Sequence, residues 1–200
     1  MRGFTLLEVL VALFIVAIGM LGAVGLQAYS HRAAFEAYQR AQALILVRDM
    51  ADRIQSNRSV VNCFAVTTDP TGTPFVGTAG SGYLAGGNLP CAAAIAGYAQ
   101  AQQGLTEWDA ALKGAGEVLG GAKVGTMVGA RGCISATADP ATGMLVYTVA
   151  VAWQGDAPLF AITDPQNPPR PAVACGEGLY GNEAQRRVVW TTFRVANLKA

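Results

Sequence analysis

The chain has 200 residues, 52% of them hydrophobic and 14% charged, enough for one domain with its own core. The long unbroken apolar run occurs once, so a multi-span membrane protein is excluded. Fourteen basic and thirteen acidic residues leave a net charge of +1, and no basic cluster exceeds the pair Arg186-Arg187, which excludes an electrostatic footprint for nucleic acid.

That run covers Phe4 to Leu26, 23 residues whose single charge is Glu8. At about 1.5 Å per residue it makes a helix of roughly 35 Å, long enough to span a bilayer. A cleaved secretory signal would carry several basic residues and a shorter apolar core, whereas only Arg2 precedes this one. A plain signal anchor leaves Glu8 unexplained. A carboxylate within a spanning helix costs on the order of 3 kcal/mol on insertion scales, so it calls for a partner.

The segment Gly3-Phe4-Thr5-Leu6-Leu7-Glu8-Val9-Leu10 resembles the processing and assembly motif of type IV prepilins and type II secretion pseudopilins. The resemblance implies cleavage by a prepilin peptidase between Gly3 and Phe4 and N-methylation of the new terminal Phe4. It also implies that Glu8 pairs with the N-terminal amine of a neighbouring subunit. A cation supplied by another chain would neutralise a carboxylate otherwise stranded in lipid. The leader expected here, Met1-Arg2-Gly3, is shorter and less basic than most in that family. Charge does not fix the orientation, because Arg2 on one side is balanced by His31 and Arg32 on the other.

Gly19, Gly22 and Gly25 follow at intervals of three. They weaken a helix in water and allow close helix packing in lipid. Together with Leu6-Leu7-Glu8-Val9-Leu10-Val11-Ala12-Leu13, this wording looks like the PilV-type minor pilins, whose helix can lose order here on entering a filament; simple small-residue packing is the other reading. The resemblance implies a non-enzymatic structural subunit with no cofactor, held in the inner membrane with its head in the periplasm and then built into a pilus. There it would prime assembly, at or near the tip. The implied partners are other minor and major pilins, the prepilin peptidase, the inner-membrane assembly platform and a tip adhesin. A type II secretion pseudopilin shares the anchor, and a membrane-anchored periplasmic binding module would need neither Glu8 nor the peptidase site.

Beyond the span, Ala37, Ala41, Leu44, Val47, Ala51 and Ile54 recur at steps of three or four among Arg32, Glu36, Arg40, Asp49 and Arg53, which predicts an amphipathic continuation. One helix to about Gln55 is expected, with residues 1–3 as leader, 4–26 in the bilayer or filament core, 27–56 amphipathic and 57–200 as the head. His31, the only histidine, sits at the junction with no catalytic constellation around it.

Residues 57–125 are rich in Gly, Ala, Thr and Pro and read as a long connection with local helices. One helix is expected over Ala92–Gln103 and a second from a cap at Thr106-Glu107-Trp108-Asp109, with Trp108 and Leu112 packing it on the head. The alternation Leu145, Tyr147, Val149, Val151, Trp153 predicts a half-buried strand over 144–153. It is joined to a strand at 133–138 by the turn-rich link Asp139-Pro140-Ala141-Thr142-Gly143, and 188–195 reads as a third strand. The segment 155–185 holds five of the nine prolines and reads as a tethered loop. The expected class is α+β: a long N-terminal pilin-like helix packed on a small antiparallel sheet of three or four strands, with disulfide-tethered loops.

Cys63, Cys91, Cys133 and Cys175 are widely spaced, with no CxxC and no nearby histidine, which disfavours zinc. With an exported anchor they read as two disulfides, against the alternative of four buried thiols. Three connectivities are open; Cys63–Cys91 with Cys133–Cys175 is preferred because it closes two non-overlapping loops. No H-E-x-x-H, G-x-S-x-G or P-loop is present. Gly80-Ser81-Gly82-Tyr83-Leu84-Ala85 mimics a dinucleotide fingerprint without the preceding strand. No catalytic or metal site is expected.

Overall fold

Leu6–Ser56 form one helix, α1. The computed structural model describes residues 5–80, 84, 89–116, 118–120, 122–123, 127–162 and 171–196. The chain is built of two units, Met1–Tyr38 and Gln39–Ala200.

In the first unit, every described residue up to Phe35 is exposed, including Leu6, Leu10, Phe14, Ile18, Leu21 and Leu26. An apolar surface of this extent belongs in lipid or against other chains. α1 is the one helix among the described residues long and apolar enough to cross a membrane. A Cβ built on Gly19, Gly22 or Gly25 meets nothing within 4 Å, so no contact among the described residues demands glycine there.

In the second unit, the end of α1 buries Gln39, Ala43, Val47, Met50, Ala51 and Ile54. This corrects the expected stripe. Ala37, Ala41 and Leu44 are exposed, and the buried line runs 39, 43, 47, 50, 54. Both lines have helical spacing and share Val47 and Ile54; of the expected stripe Val47, Ala51 and Ile54 are buried, while its first three positions lie outside the buried face.

The sheet has four strands in the order β1-β4-β5-β6, all antiparallel: β1 Val76–Gly77, β4 Val128–Ala138, β5 Leu145–Gln154 and β6 Arg186–Val195. A separate two-stranded ribbon pairs β2 Val118–Leu119 with β3 Ala122–Lys123. β5 pairs with β4 from Arg131↔Ala152 to Ala138↔Leu145, and with β6 from Gln154↔Arg186 to Leu145↔Val195. Tyr147, Val149, Val151 and Trp153 of β5 join Ile134, Val189 and Val195 in the main core with Val47, Met50 and Ile54 of α1. This is the apolar face read from the alternation.

The strand is covered on its other side as well. Ala150 and Ala152 pack with Cys133, Ala172, Cys175 and Tyr180 in a second, smaller core. The small alternate residues of β5 make room for the 171–180 segment, so the half-buried expectation is corrected to a strand buried on both faces through its centre.

α2 is a single helix, Tyr98–Leu112, where two were expected. Gly97 at φ +96° precedes it, and residues 92–96 form turns. Thr106 does not cap a new helix: its hydroxyl donates to the Gln102 carbonyl at 2.8 Å, satisfied inside a continuing one. Trp108 is fully buried and its indole N–H donates to the Leu46 carbonyl of α1 at 2.9 Å. The connection at 57–125 also holds a 3₁₀ segment, Arg58–Phe64, and supplies the fourth strand, β1. Of the glycine-rich imitation, Ser81, Gly82, Tyr83 and Ala85 lie outside the described residues.

Candidate functional site: the N-terminal segment and the tethered loop

Gly3 and Phe4 lie outside the described residues; Thr5 and Glu8 begin the described site. Thr5 stands immediately before α1 and Glu8 is the third helical residue. The Glu8 backbone N–H donates to Thr5 Oγ1 at 3.3 Å, while Glu8 Oε2 accepts from the Thr5 backbone N–H and from its hydroxyl, both at 3.3 Å. This is a reciprocal capping box, signalled by T-x-x-E at 5–8, which the sequence reading missed. The carboxylate also sits at the positive end of the helix dipole. No basic side chain among the described residues forms an ion pair with Glu8. A shallow groove runs along this face, lined by Glu8, Val9, Ala12, Leu13 and Val16. Ala12, one turn beyond Glu8, keeps the carboxylate's flank open.

Cys63 is bonded to Cys91 across 28 residues and Cys133 to Cys175 across 42. The second bridge fastens the loop after β5 to the middle of β4. Arg186, only 1% exposed, fastens it again: Nε donates to Glu183, Nη1 to the carbonyls of Val173 and Cys175, and Nη2 to the carbonyl of Ile162 at 3.4 Å. Arg187 donates to the carbonyls of Ala184 and Ala157 at 2.9 and 2.7 Å. Between these anchors the loop holds Leu159 and Phe160 out at 58% and 92% exposure. The sequence marked Arg186-Arg187 only as the one basic pair; their role depends on carbonyls brought in by the fold.

Elsewhere in the head, Arg53 bonds Asp49 on its own helix and Glu107 of α2. Glu107 raises the Arg53 guanidinium, and Arg53 in turn holds the Glu107 carboxyl below its usual range. His31 is exposed. No group of three or more His, Cys, Asp or Glu among the described residues could hold a metal ion.

Comparison with known proteins addresses the N-terminal segment. Residues 1–24 match the prokaryotic N-terminal methylation motif. The motif is that of prepilin-type proteins and supports a type IV pilin or pseudopilin for this chain; it describes a structural segment and not an enzyme family. The match ends before Gly25 and leaves the head uncovered. No curated protein and no solved structure matches the chain.

Proposed function

We propose that the chain is a minor pilin of a type IV pilus. Its precursor is cut between Gly3 and Phe4, Phe4 is N-methylated, and the product rests in the inner membrane through residues 4–26 with its head in the periplasm. The amphipathic stretch, 27–56, then leads into the head, 57–200. It enters the filament through its N-terminal helix, primes assembly and occupies a place at or near the tip among other pilins. The observation that carries the reading is the methylation motif at the start of the one long apolar helix, with a lone carboxylate, Glu8, in its first turn.

Glu8 serves here in subunit assembly. Its capping bonds to Thr5 use one carboxylate oxygen, and an incoming amine from a neighbouring subunit would take the other. The 155–185 loop, held by a disulfide and two arginines and presenting the exposed Phe160, is the surface offered to partner heads; an apolar side chain on a tethered loop loses less entropy on binding than one on a free loop. The work is structural and needs no cofactor.

The test is the mass of the N-terminal peptide from assembled filaments. A methylated Phe4 terminus is the expected result. Retention of Met1 or Arg2 in sheared pili would overturn the reading, and recovery only with secretion-system proteins would make the chain a pseudopilin.

A further inference from the structure

β6 is an outermost strand of the sheet, ten residues long and paired with β5 at every one of them without a register shift. Its backbone groups alternate in direction. The Gln185 carbonyl points inward and accepts from the Gly155 N–H at 2.8 Å, whereas the Ala184 carbonyl points off the sheet and accepts from the Leu159 N–H at 2.7 Å. Continuing that alternation, the even-numbered residues of β6 turn their N–H and C=O away from β5. The 155–159 segment closes this edge as far as Ala184. Beyond it, the outward backbone groups of Val188, Thr192 and Arg194 have no partner among the described residues. The edge is reachable: Trp190, Thr192 and Arg194 are exposed, and only Arg186, Val189 and Val195 of the strand are buried.

Nothing in the strand discourages pairing. Free edges are ordinarily blunted by shortness, a bulge, proline or lysine. The opposite edge follows that rule, since β1 has two residues and Pro74 stands two residues before it. β6 does not: it contains no proline, glycine or lysine, and Val188-Val189-Trp190-Thr191-Thr192-Phe193 is a run of β-branched and aromatic residues. A row of donors and acceptors at strand spacing is met in full only by another extended backbone. Core-side residues of such a backbone would extend the apolar face of Val189 and Phe193. β6 carries three arginines and no acid, and the Arg194 side chain, bonded to Asp139 at 3.3 Å, is still 64% exposed, which favours a carboxylate opposite it. A second copy of β6 would bring only arginines. Paired antiparallel about a two-fold axis normal to the sheet, it would also reverse the 39–56 part of α1 packed on that sheet, which opposes two chains anchored in one membrane.

We propose that the outer edge of β6, residues 188–194, takes an extended segment of a neighbouring subunit as a fifth strand, apolar at alternate positions and carrying a carboxylate toward Arg194. This rests on the proposed function only for the neighbour being a subunit of the same filament.

The experiment reads backbone amide exchange by NMR on the full chain in detergent micelles. The probe is acetyl-Glu-Val-Thr-Val-Thr-Val-Glu-amide, with the same peptide N-methylated at its valines and threonines as control. In the free chain the amides of Val188, Thr192 and Arg194 should exchange fast and those of Val189, Thr191 and Phe193 slowly. The peptide should slow the first set about tenfold at about ten times its dissociation constant, and the methylated peptide should not. Thr192→Pro removes an outward donor that β5 does not use, so it should keep the melting temperature and both disulfides yet weaken the response. Slow exchange at all three outward amides in the free chain overturns the proposal, because the edge is then already covered. No response to the peptide overturns it, and so does an equal response to the methylated one, which would place the binding in side chains. Protection that grows with protein concentration alone makes the occupant a second copy and also overturns it. None of these readings requires filaments, so they stand apart from the mass of the N-terminal peptide that tests the proposed function.

Discussion

Arg186 donates to the carbonyl of Cys175 at 3.3 Å, so a guanidinium and a disulfide hold the same residue of the loop from two directions. The arginine also takes the Val173 and Ile162 carbonyls and the Glu183 carboxylate. Arg186→Met should therefore strand several acceptors at once and cost about 3–5 kcal/mol, as when one partner of a buried pair is removed. Urea unfolding of the head measures it. A loss below about 1 kcal/mol would mean that water replaces the guanidinium without difficulty.

Gly132 carries a second prediction. A Cβ there would fall 2.3 Å from the Trp108 indole ring and 2.7 Å from Leu112, so one of the packed elements must shift to admit it. Gly132→Ala should destabilise the head by about 1–3 kcal/mol through overpacking. Combining it with Trp108→Leu should cost less than the sum of the two single changes, because the smaller side chain frees the space. Additive losses would show that the clash is not with the indole.

The long helix, the three C-terminal strands and the tethered loop are legible in the sequence because each rests on local signals: an apolar run, period-two alternation, clustered prolines. The spacing of Trp108 with Leu112 points it into the core, and it is there. Signals that the fold reinterprets are not legible. Thr106 followed by an acid three residues later reads as a cap, yet an α2 already running absorbs the threonine into the Gln102 carbonyl. Ala41 and Leu44 look as apolar as Ala43 and Met50, and only the position of the sheet decides which are buried. Within the candidate site the lone carboxylate stands out from its surroundings, while its cap does not. T-x-x-E at 5–8 is masked by a context in which every neighbour is apolar. The carbonyls around Arg186 come from residues 162, 173 and 175, which no local pattern links to it.

Acid should loosen the contact between α1 and α2. Arg53 lowers the Glu107 carboxyl in the folded state, so the ion pair stabilises fully above the unfolded value of about 4.3 and its contribution is lost as pH falls through the lower folded value. Asp139, lowered first by the Ala141 backbone N–H, and Asp69, lowered first by the Thr71 hydroxyl, act in the same direction. The difference in melting temperature between the parent and Glu107→Gln should be largest near neutrality and close below about pH 4. A difference that does not change with pH would show that the hydrogen bonds, and not the charge, matter at this site.

Tyr147 sets the opposite limit. Burial raises its hydroxyl from 10.0 to about 12. A raised folded value means stability that is complete below the unfolded value of 10 and is lost as pH rises toward 12. Tyr147→Phe should remove this alkaline sensitivity while changing little at pH 7, where the bond its hydroxyl donates to Asn62 is long at 3.5 Å. Absorbance titration of the phenol alongside unfolding checks both; a Tyr147 that ionises near 10 in the folded head contradicts the prediction.

Glu8 has two possible employments, and two substitutions separate them. As the third residue of a capping box it satisfies the backbone N–H of Thr5, a role that glutamine also fills. As a charge in the first turn of an apolar span it calls for a cation, and glutamine cannot supply that need. Glu8→Gln should therefore leave the start of α1 and the head intact, yet reduce incorporation into sheared filaments. Thr5→Ala keeps the charge and removes the cap, costing about 1 kcal/mol of helix stability at this end, and should impair incorporation less. Glu8→Ala loses both functions and should be the most impaired, while accumulating in the membrane with its disulfides formed. Cleavage after Gly3 must be followed in each variant by the mass of the N-terminal peptide, so that a processing defect is not read as an assembly defect. If Glu8→Gln is incorporated as well as the parent and Thr5→Ala is not, the glutamate acts as a helix cap and the charge has no part in assembly.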